Sequence, residues 1–226
     1  MKGKNRFQLH IITDGLKQAN ELIPIVSAAA KGGADYIQLR YKSAPALDLY
    51  TLGKVIQPVI KEEQTGLLIN DRVDVAQALE ANGVHLAAKS LPVRPVRSIV
   101  GSEMLIGCSV HSIEEAIEAE KQGASYITYG HIFPTNSKPG LPPRGIDSLK
   151  QVIDAVSIPV LAIGGITNEN IDQVLATGVA GIAVIGAVMS QDNPFEAARI
   201  LRQRMDESPF VPKHALPSPF MNPSMP

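Results

Sequence analysis

The sequence lacks the features that would place the protein in a membrane, outside the cell or on a nucleic acid. It has a single cysteine, Cys108, so no disulfide can form within the chain, which fits a reducing compartment. No apolar run reaches about 18 residues, so we expect no transmembrane helix, and the apolar stretch near the start is too short for a secretory signal. The formal net charge of −1 argues against general binding to nucleic acid or anionic membrane. We therefore expect a soluble, cytoplasmic protein whose anion-binding groups are local.

The glycine-rich GxGxxG turn of a doubly wound nucleotide-binding sheet is also missing, since the first turn reads ITDGLKQ. Short apolar runs instead alternate with amphipathic segments, of which residues 20–31, 47–61 and 112–122 have helical periodicity. Eight runs are typical of buried strands: LHIIT from Leu9, YIQLR from Tyr36, GLLIN from Gly66, GVHL from Gly83, LIGCSV from Leu105, YITYG from Tyr126, PVLAIGG from Pro159 and GIAVIGAV from Gly181. Eight strand–helix units of roughly 25 residues predict one (β/α)8 TIM barrel over residues 1–206. An open doubly wound sheet is the runner-up, but it usually has fewer strands.

The last part of the chain, residues 207–226, is rich in proline and has no periodicity. This composition predicts a tail outside the barrel. Such a tail could lie along a neighbouring subunit, and a homo-oligomer is compatible with the sequence without being indicated by it.

In a barrel of this type the active site lies at the carboxyl ends of the strands. The second strand supplies Gln38, Arg40 and Lys42, which share one face at a period of two. The alternative is a solvated edge strand, but buried barrel strands seldom carry three such side chains. Two cations at this place would suit a phosphate or a carboxylate, and arginine can bind either one bidentately.

The third strand ends in Asn70 and Asp71, which could bind Mg²⁺ or orient a substrate, or could merely cap the next helix. Magnesium normally needs more than one carboxylate or the phosphates of a substrate. The fourth strand end offers Lys89 and Ser90 and no acid. On the fifth strand Ser109 is expected to face the barrel mouth. His111, which follows it, is better explained as a structural residue at a helix start.

The sixth strand is followed at once by His131, whose imidazole can give and take protons near neutrality. The loop after it, PTNSK, contains Thr135 and Lys138. An ordinary hydrogen-bonding role is the usual explanation for a loop histidine, but the place at the barrel mouth favours chemistry. After the seventh and eighth strands, backbone amides are predicted to bind a phosphate at Gly164, Gly165, Ile185 and Gly186.

Seven stretches together resemble, in order, the thiamine phosphate synthase superfamily. They are QLRYK, INDRVD, GVHL, GCSVHSIEEA, YITYGHIFPTNSKPG, IPVLAIGGI and GIAVIGAV, and the resemblance covers about Leu9 to Met205. The superfamily has two branches. The synthase joins a pyrimidine pyrophosphate to a thiazole phosphate, and the TenI-like thiazole tautomerase aromatises a thiazole phosphate carboxylate.

Three departures from the synthase pattern favour the tautomerase branch. HLAAKSLP stands where a synthase typically has HLGQDD with an acid for Mg²⁺, Tyr41 replaces the acid of QLREK, and His131 replaces the first proline of GPIFPT. The resemblance then implies an isomerase of thiamine biosynthesis that needs no cofactor. The alternatives are the synthase, with Mg²⁺ held in part by Asp71, and a non-catalytic regulator that binds thiazole phosphate.

Under the tautomerase interpretation each rim residue has an expected role. His131 would donate the proton, Arg40 and Lys138 would hold the substrate carboxylate, and Gln38 and Ser109 would orient the ring. The glycine amides after the seventh and eighth strands would hold the phosphate. The other substrate-binding candidates are Lys42, Asn70 and Thr135.

Overall fold

The computed structural model describes residues 6–220, and within them eight parallel strands close into a barrel in sequence order. The strands are β1 (Gln8–Ile12), β2 (Tyr36–Leu39), β3 (Gly66–Asn70), β4 (Gly83–Leu86), β5 (Leu105–Val110), β6 (Tyr126–Gly130), β7 (Val160–Ile163) and β8 (Gly181–Val184). All eight predicted strands are present, and β8 pairs with β1 to close the ring. The predicted (β/α)8 barrel is confirmed.

Helices alternate with the strands and cover the outside of the barrel. They are α1 (Ala19–Lys31), α2 (Ala46–Lys61), α3 (Val73–Ala78), α4 (Val93–Val100), α5 (Ile113–Lys121), α6 (Gly145–Ala155), α7 (Ile171–Leu175), α8 (Gly186–Met189) and α9 (Pro194–Asp206). The three helices predicted from periodicity, α1, α2 and α5, begin and end within a residue of their predicted bounds. None of the helices in residues 6–220 is both long enough and apolar enough to span a membrane.

The strands read as almost continuous apolar runs because both of their faces are buried. Residues such as Ile37 and Ile69 point outward and pack under the helices in the main core. Tyr36 and Tyr126 belong to a separate cluster that fills the barrel interior toward its amino end. Gly107 on β5 accommodates this filling, since a Cβ there would lie 2.2 Å from Cζ of Tyr126. The barrel is therefore packed below its polar mouth.

The proline-rich segment does not lie outside the barrel as the sequence suggests. Residues 213–219, here called the floor segment, cross the amino end of the barrel, where Leu216 is 3% exposed and packs against the inner cluster. Strand side chains donate hydrogen bonds to its carbonyls, from Gln8 Nε2 to Leu216 (3.2 Å) and from the Tyr36 hydroxyl to Pro217 (3.2 Å). The prolines of this segment have no backbone N–H, so they bring no donor that would need a partner at the barrel end. Residues 221–226 of the predicted tail lie outside the described part.

Candidate active site at the carboxyl end of the barrel

Two amide side chains meet at the carboxyl ends of β2 and β3. Gln38 is 3% exposed, and its Nε2 donates to Asn70 Oδ1 at 2.7 Å. Asn70 Nδ2 donates in turn to Asp71 Oδ2 at 2.6 Å. The sequence predicted Gln38 and Asn70 as separate substrate-binding candidates at two strand ends, and in the folded chain each amide is fixed by its neighbour.

Arg40 and Lys42 do not continue the strand face of Gln38, because β2 ends at Leu39. The backbone N–H of Arg40 donates to Thr13 Oγ1 (2.8 Å), and the Thr13 hydroxyl donates to the Arg40 carbonyl (3.1 Å). These bonds tie the start of the β2–α2 loop to the end of β1 and hold the backbone of Arg40, a half-buried residue, at the rim. Lys42 lies in an exposed turn two residues farther along. The predicted group of three therefore separates into two rim residues and one surface cation.

Asp71 occupies a left-handed backbone position with φ of 62°, directly after β3. Its Oδ1 accepts hydrogen bonds from the Ala87 N–H at 3.0 Å and from the Ser90 hydroxyl, so the β4–α4 loop holds the carboxylate. The alternative that Asp71 or Asn70 caps α3 does not hold, because Arg72 is the N-cap and the two side chains bond to each other and to the β4–α4 loop instead. The carboxylate is thus oriented by the rim itself.

Whether the rim fits Mg²⁺ depends on how many oxygen ligands its side chains offer. No group of three or more His, Cys, Asp or Glu side chains that could hold a metal occurs within residues 6–220. Three hydrogen bonds already occupy the Asp71 carboxylate, whose two oxygens offer about four lone-pair positions, and the remaining one is on Oδ2. This donor set fits an ion that brings substrate phosphates as its other ligands, which is the usual manner for Mg²⁺.

His85 is a rim residue that the sequence did not assign. Its Nε2 lies 2.8 Å from Ser109 Oγ and its Nδ1 lies 3.1 Å from the Tyr126 hydroxyl, so it connects the mouth to the packed interior. Burial lowers the pKa of His85 to about 4, against a smaller opposite effect of Asp71, so the imidazole is neutral at pH 7. Strand alternation could have identified His85 from the sequence, because neighbouring strands carry inward-facing side chains at matching positions. In the folded chain His85 on β4 is paired in register with Asn70 on β3.

Lys138 extends from the β6–α6 loop to the β5–α5 loop. Its Nζ lies 3.2 Å from His111 Nε2, and the backbone N–H of His111 donates to Glu115 Oε2 at 2.6 Å. Desolvation, followed by the charge of Lys138, lowers the pKa of His111, although Glu115 opposes the shift. A neutral imidazole can accept the lysine hydrogen bond. Thr135 contributes through its carbonyl, which accepts from the Lys138 N–H at 3.1 Å.

His131 is 6% exposed, and its ring faces the loop that follows β6. Nε2 lies 3.2 Å from the Leu141 carbonyl, whereas Nδ1 is buried with no hydrogen-bond partner among residues 6–220. The Gly130–His131 peptide bond is cis. A cleft of about 380 Å³ opens beside this ring and is also lined by Lys138, Arg144 and Ser148.

Gly164 and Gly165 both have positive φ, 97° and 68°. A Cβ at Gly164 would lie 2.3 Å from Cβ of His131, and one at Gly165 would lie 2.4 Å from the Pro134 carbonyl oxygen. The two glycines therefore let the β6–α6 loop pack closely against the end of β7. Ile185 and Gly186 lie at the start of the four-residue helix α8. Phosphate binding by these four residues stays a prediction.

Side-chain hydrogen bonds join each neighbouring pair of strand ends or following loops from β1 to β6. The joining groups are Thr13 with Arg40, Gln38 with Asn70, Asp71 with Ser90, His85 with Ser109, and His111 with Lys138. An amide pair, a fixed carboxylate and cations thus meet at one mouth. This arrangement can bind a polar heterocycle next to phosphate groups.

The profile of one protein family, described as thiamine monophosphate synthase, matches residues 9–188. The chain is 40% identical to the thiamine-phosphate synthase of Pyrococcus furiosus over 92% of its own length and 99% of that protein, and 43% identical to that of a Roseiflexus species over 85% and 83%. A solved structure titled thiamine phosphate pyrophosphorylase from Pyrococcus furiosus superposes with a TM-score of 0.81 at 39% identity, covering 90% of this chain and 98% of that one. The chain belongs to the thiamine monophosphate synthase family.

These relatives contradict the predicted branch. Proteins about 40% identical over most of the chain are named thiamine-phosphate synthase, so the prediction of an isomerase of the thiazole tautomerase type is wrong. The three departures that favoured it make local contacts in the rim loops. The Tyr41 hydroxyl donates to the Lys17 carbonyl, Ser90 bonds to Asp71, and His131 contacts the Leu141 carbonyl. With this correction the reason for giving His131 a proton-transfer role disappears.

Proposed function

We propose that the protein is a transferase that makes thiamine phosphate by joining a pyrimidine pyrophosphate to a thiazole phosphate. The observation that carries the proposal is the similarity at about 40% identity, over about nine-tenths of the chain, to proteins named thiamine-phosphate synthase. The rim supports it, because it combines one oriented carboxylate with cations and neutral hydrogen-bonding groups. The substrates of this reaction are small phosphorylated heterocycles, which need those groups together.

The difficult step is the departure of pyrophosphate, which leaves with the electron pair of the broken carbon–oxygen bond. Negative charge therefore grows on the leaving group, and groups that meet this charge stabilise the transition state. Lys138 is held beside the mouth by His111 and by the turn that contains Thr135. Arg40 is the second rim cation in our proposal. Both would bind pyrophosphate more strongly as its charge develops.

A magnesium ion, when bound, would neutralise part of that charge as a Lewis acid. Asp71 is the residue that would hold it, through the free position on Oδ2. Ser90 and the Ala87 N–H, both in the β4–α4 loop, bond to Oδ1 and fix the orientation of the carboxylate. Lys89 is exposed in that loop, which has no second acid.

The neutral groups of the rim would bind the heterocycles. Gln38 and Asn70 form a fixed amide pair, and Ser109 is fixed by His85. Rigid donors and acceptors hold a reacting ring in place at little entropic cost, which is the advantage of a preorganised site. We propose that the amides at Gly164, Gly165, Ile185 and Gly186 bind the phosphate of the thiazole, which does not react.

The test is a continuous assay of pyrophosphate release by the purified full-length protein. Release is expected only when pyrimidine pyrophosphate, thiazole phosphate and Mg²⁺ are all present, with one pyrophosphate formed for each thiamine phosphate. Omission of each component in turn is the control. Binding of both substrates without release would instead support the non-catalytic regulator.

A further inference from the structure

The β6–α6 loop, residues 131–144, is closed at its base by backbone hydrogen bonds. The Phe133 N–H donates to the Gly164 carbonyl at 3.0 Å, and the Arg144 N–H donates to the His131 carbonyl at 2.9 Å. Arg144 Nε also donates to the Gly130 carbonyl at 3.1 Å. The start and the end of the loop are therefore fixed against the barrel without help from the loop tip.

The loop tip, residues 134–143, is attached differently. Two of its described hydrogen bonds reach outside it, the contact of Lys138 Nζ with His111 and that of the Leu141 carbonyl with His131 Nε2. Within the tip, the Leu141 N–H donates to the Lys138 carbonyl at 3.4 Å and the Lys138 N–H donates to the Thr135 carbonyl at 3.1 Å. A series of bonds therefore leads from the buried imidazole through Leu141 to Lys138 and Thr135.

We propose that His131 is a positioning residue whose imidazole Nε2–H donates to the Leu141 carbonyl and thereby holds the tip with Lys138 at the rim. A carbonyl can only accept, so Nε2 carries the hydrogen in this contact. The ring itself is held firmly, because it is buried and its Cβ abuts Gly164. The Leu141 side chain is exposed, so apolar burial does not fix this part of the loop. The hydrogen bond is its attachment.

The consequence for catalysis rests on the proposed function. A lysine that binds pyrophosphate gains from being held, since the entropy of ordering the loop is then not lost when the substrate binds. Without the attachment, the tip must be ordered by the substrate. We therefore expect a higher KM for the pyrimidine pyrophosphate rather than the loss of kcat that a proton donor would cause.

The attachment is tested first without substrate, by amide hydrogen exchange of the full-length protein. In His131→Leu, the amides of residues 135–141 should exchange at least about fivefold faster, the factor that one ordinary net hydrogen bond represents. His131→Gln retains a donor of similar reach and should exchange within about twofold of the parent. His214→Leu makes the same chemical change in the floor segment and should leave this loop unaffected. Equal exchange in all four proteins would overturn the proposal.

The action through Lys138 is tested by a double-mutant cycle on KM for the pyrimidine pyrophosphate. His131→Leu should raise KM about fivefold or more in the parent protein but less than about twofold in the Lys138→Ala background, because the lysine is then no longer there to be positioned. His131→Gln should restore most of the loss. The same increase in both backgrounds would assign His131 a general structural role and contradict the proposal.

These two experiments separate the proposals from each other. If the parent protein releases no pyrophosphate but loop exchange follows the expected order, the proposed function fails and the attachment stands. If the parent protein is an active synthase but His131→Leu changes neither exchange nor KM, the attachment fails and the function stands. If His131→Leu does not fold, the test rests on His131→Gln, which keeps a donor and should show near-parent loop exchange and near-parent KM. Faster exchange or a higher KM in folded His131→Gln would then contradict the proposal.

Discussion

The amino and carboxyl ends of this barrel use polar side chains in opposite ways. At the amino end, side chains such as Gln8 and Tyr36 donate to carbonyls of the floor segment, and Leu216 closes the centre. At the carboxyl end, the polar side chains bond mainly to one another and to loop backbone, between neighbouring strands. The first arrangement directs side-chain donors to the chain's own backbone. The second keeps charged groups oriented around an opening.

The comparison teaches that polar residues on barrel strands do not by themselves indicate chemistry. Gln8 and Gln38 are both buried inward-facing glutamines on neighbouring strands, β1 and β2, at opposite ends of the barrel. Their partners decide their roles, a proline-rich segment for one and a fixed amide for the other. The floor should therefore matter for stability and the rim for turnover.

The largest effect is expected from Asp71→Asn. Asparagine tolerates the left-handed backbone of this position, so the fold should be kept while the charge is lost. We expect kcat for pyrophosphate release to fall by about 10²–10³-fold, as for other groups that stabilise transition-state charge. Asp74→Asn, an exposed residue of α3, is the matched control. Similar rates for the two variants would remove Asp71 from the mechanism.

Leu216→Ala tests the floor. We expect the free energy of unfolding to fall by about 2–3 kcal/mol, near the low end for buried leucine because the segment lies at the edge of the barrel and can relax. Urea denaturation measures this loss, with kcat per folded molecule unchanged. Val211→Ala, whose side chain is 64% exposed, is the control and should change stability little. A large loss of kcat in Leu216→Ala would show that the floor takes part in turnover.

His10 and His85 are buried inside the barrel between its two ends, and the pH dependence of stability tests their protonation. Burial, together with the nearby His85, lowers the pKa of His10 to about 3, and burial lowers that of His85 to about 4, from an ordinary 6.5. Between about pH 6.5 and 4 the unfolded chain therefore binds protons that the folded protein does not, so stability falls as the pH falls. From pH 7 to 5.5 we expect a loss of about 1 kcal/mol for each histidine.

Urea midpoints measured at several pH values in that range check this expectation. His10→Phe keeps an aromatic ring without a titrating group and should lose about half of the pH dependence. An unchanged pH dependence in His10→Phe would mean that His10 is protonated within the fold.

The smallest effect is expected at Lys42. Because Lys42 lies in an exposed turn, Lys42→Ala should lower kcat/KM by less than about threefold, a surface charge being screened by water and salt. Arg40→Ala should cost about tenfold or more, since Arg40 is the second rim cation proposed to bind pyrophosphate and a charged hydrogen bond contributes about that much. Equal losses in steady-state assays of the two variants would restore the sequence-based grouping of both cations in one site.

Periodicity predicted the barrel well, because eight buried apolar runs with amphipathic segments between them leave few other topologies. It also predicted that Gln38, Asn70 and Ser109 lie at the mouth. It could not predict the floor segment, since Leu216 is one leucine among prolines and its burial depends on a cavity that eight separate strands create together. The same limit applies to His85, which has its role through Ser109 and Tyr126 on two other strands.

The branch of the family was misjudged for a related reason. Tyr41, Ser90 and His131 differ from the synthase pattern, and a single sequence does not reveal whether a changed residue touches substrate or loop backbone. In the folded chain Tyr41 and His131 contact loop carbonyls, and Ser90 bonds to Asp71. A histidine at a strand end is thus ambiguous until the partners of its two ring nitrogens are known.

The central claim, that this carboxyl end is a synthase site, is tested most directly by a crystal structure of the full-length protein with Mg²⁺, pyrophosphate and thiamine phosphate. The account predicts pyrophosphate within hydrogen-bonding distance of Lys138 Nζ, the metal ion on Asp71 Oδ2, and the phosphate of thiamine phosphate at the Gly165 and Gly186 amides. Ordered product bound elsewhere on the barrel, with the rim unchanged, would contradict it.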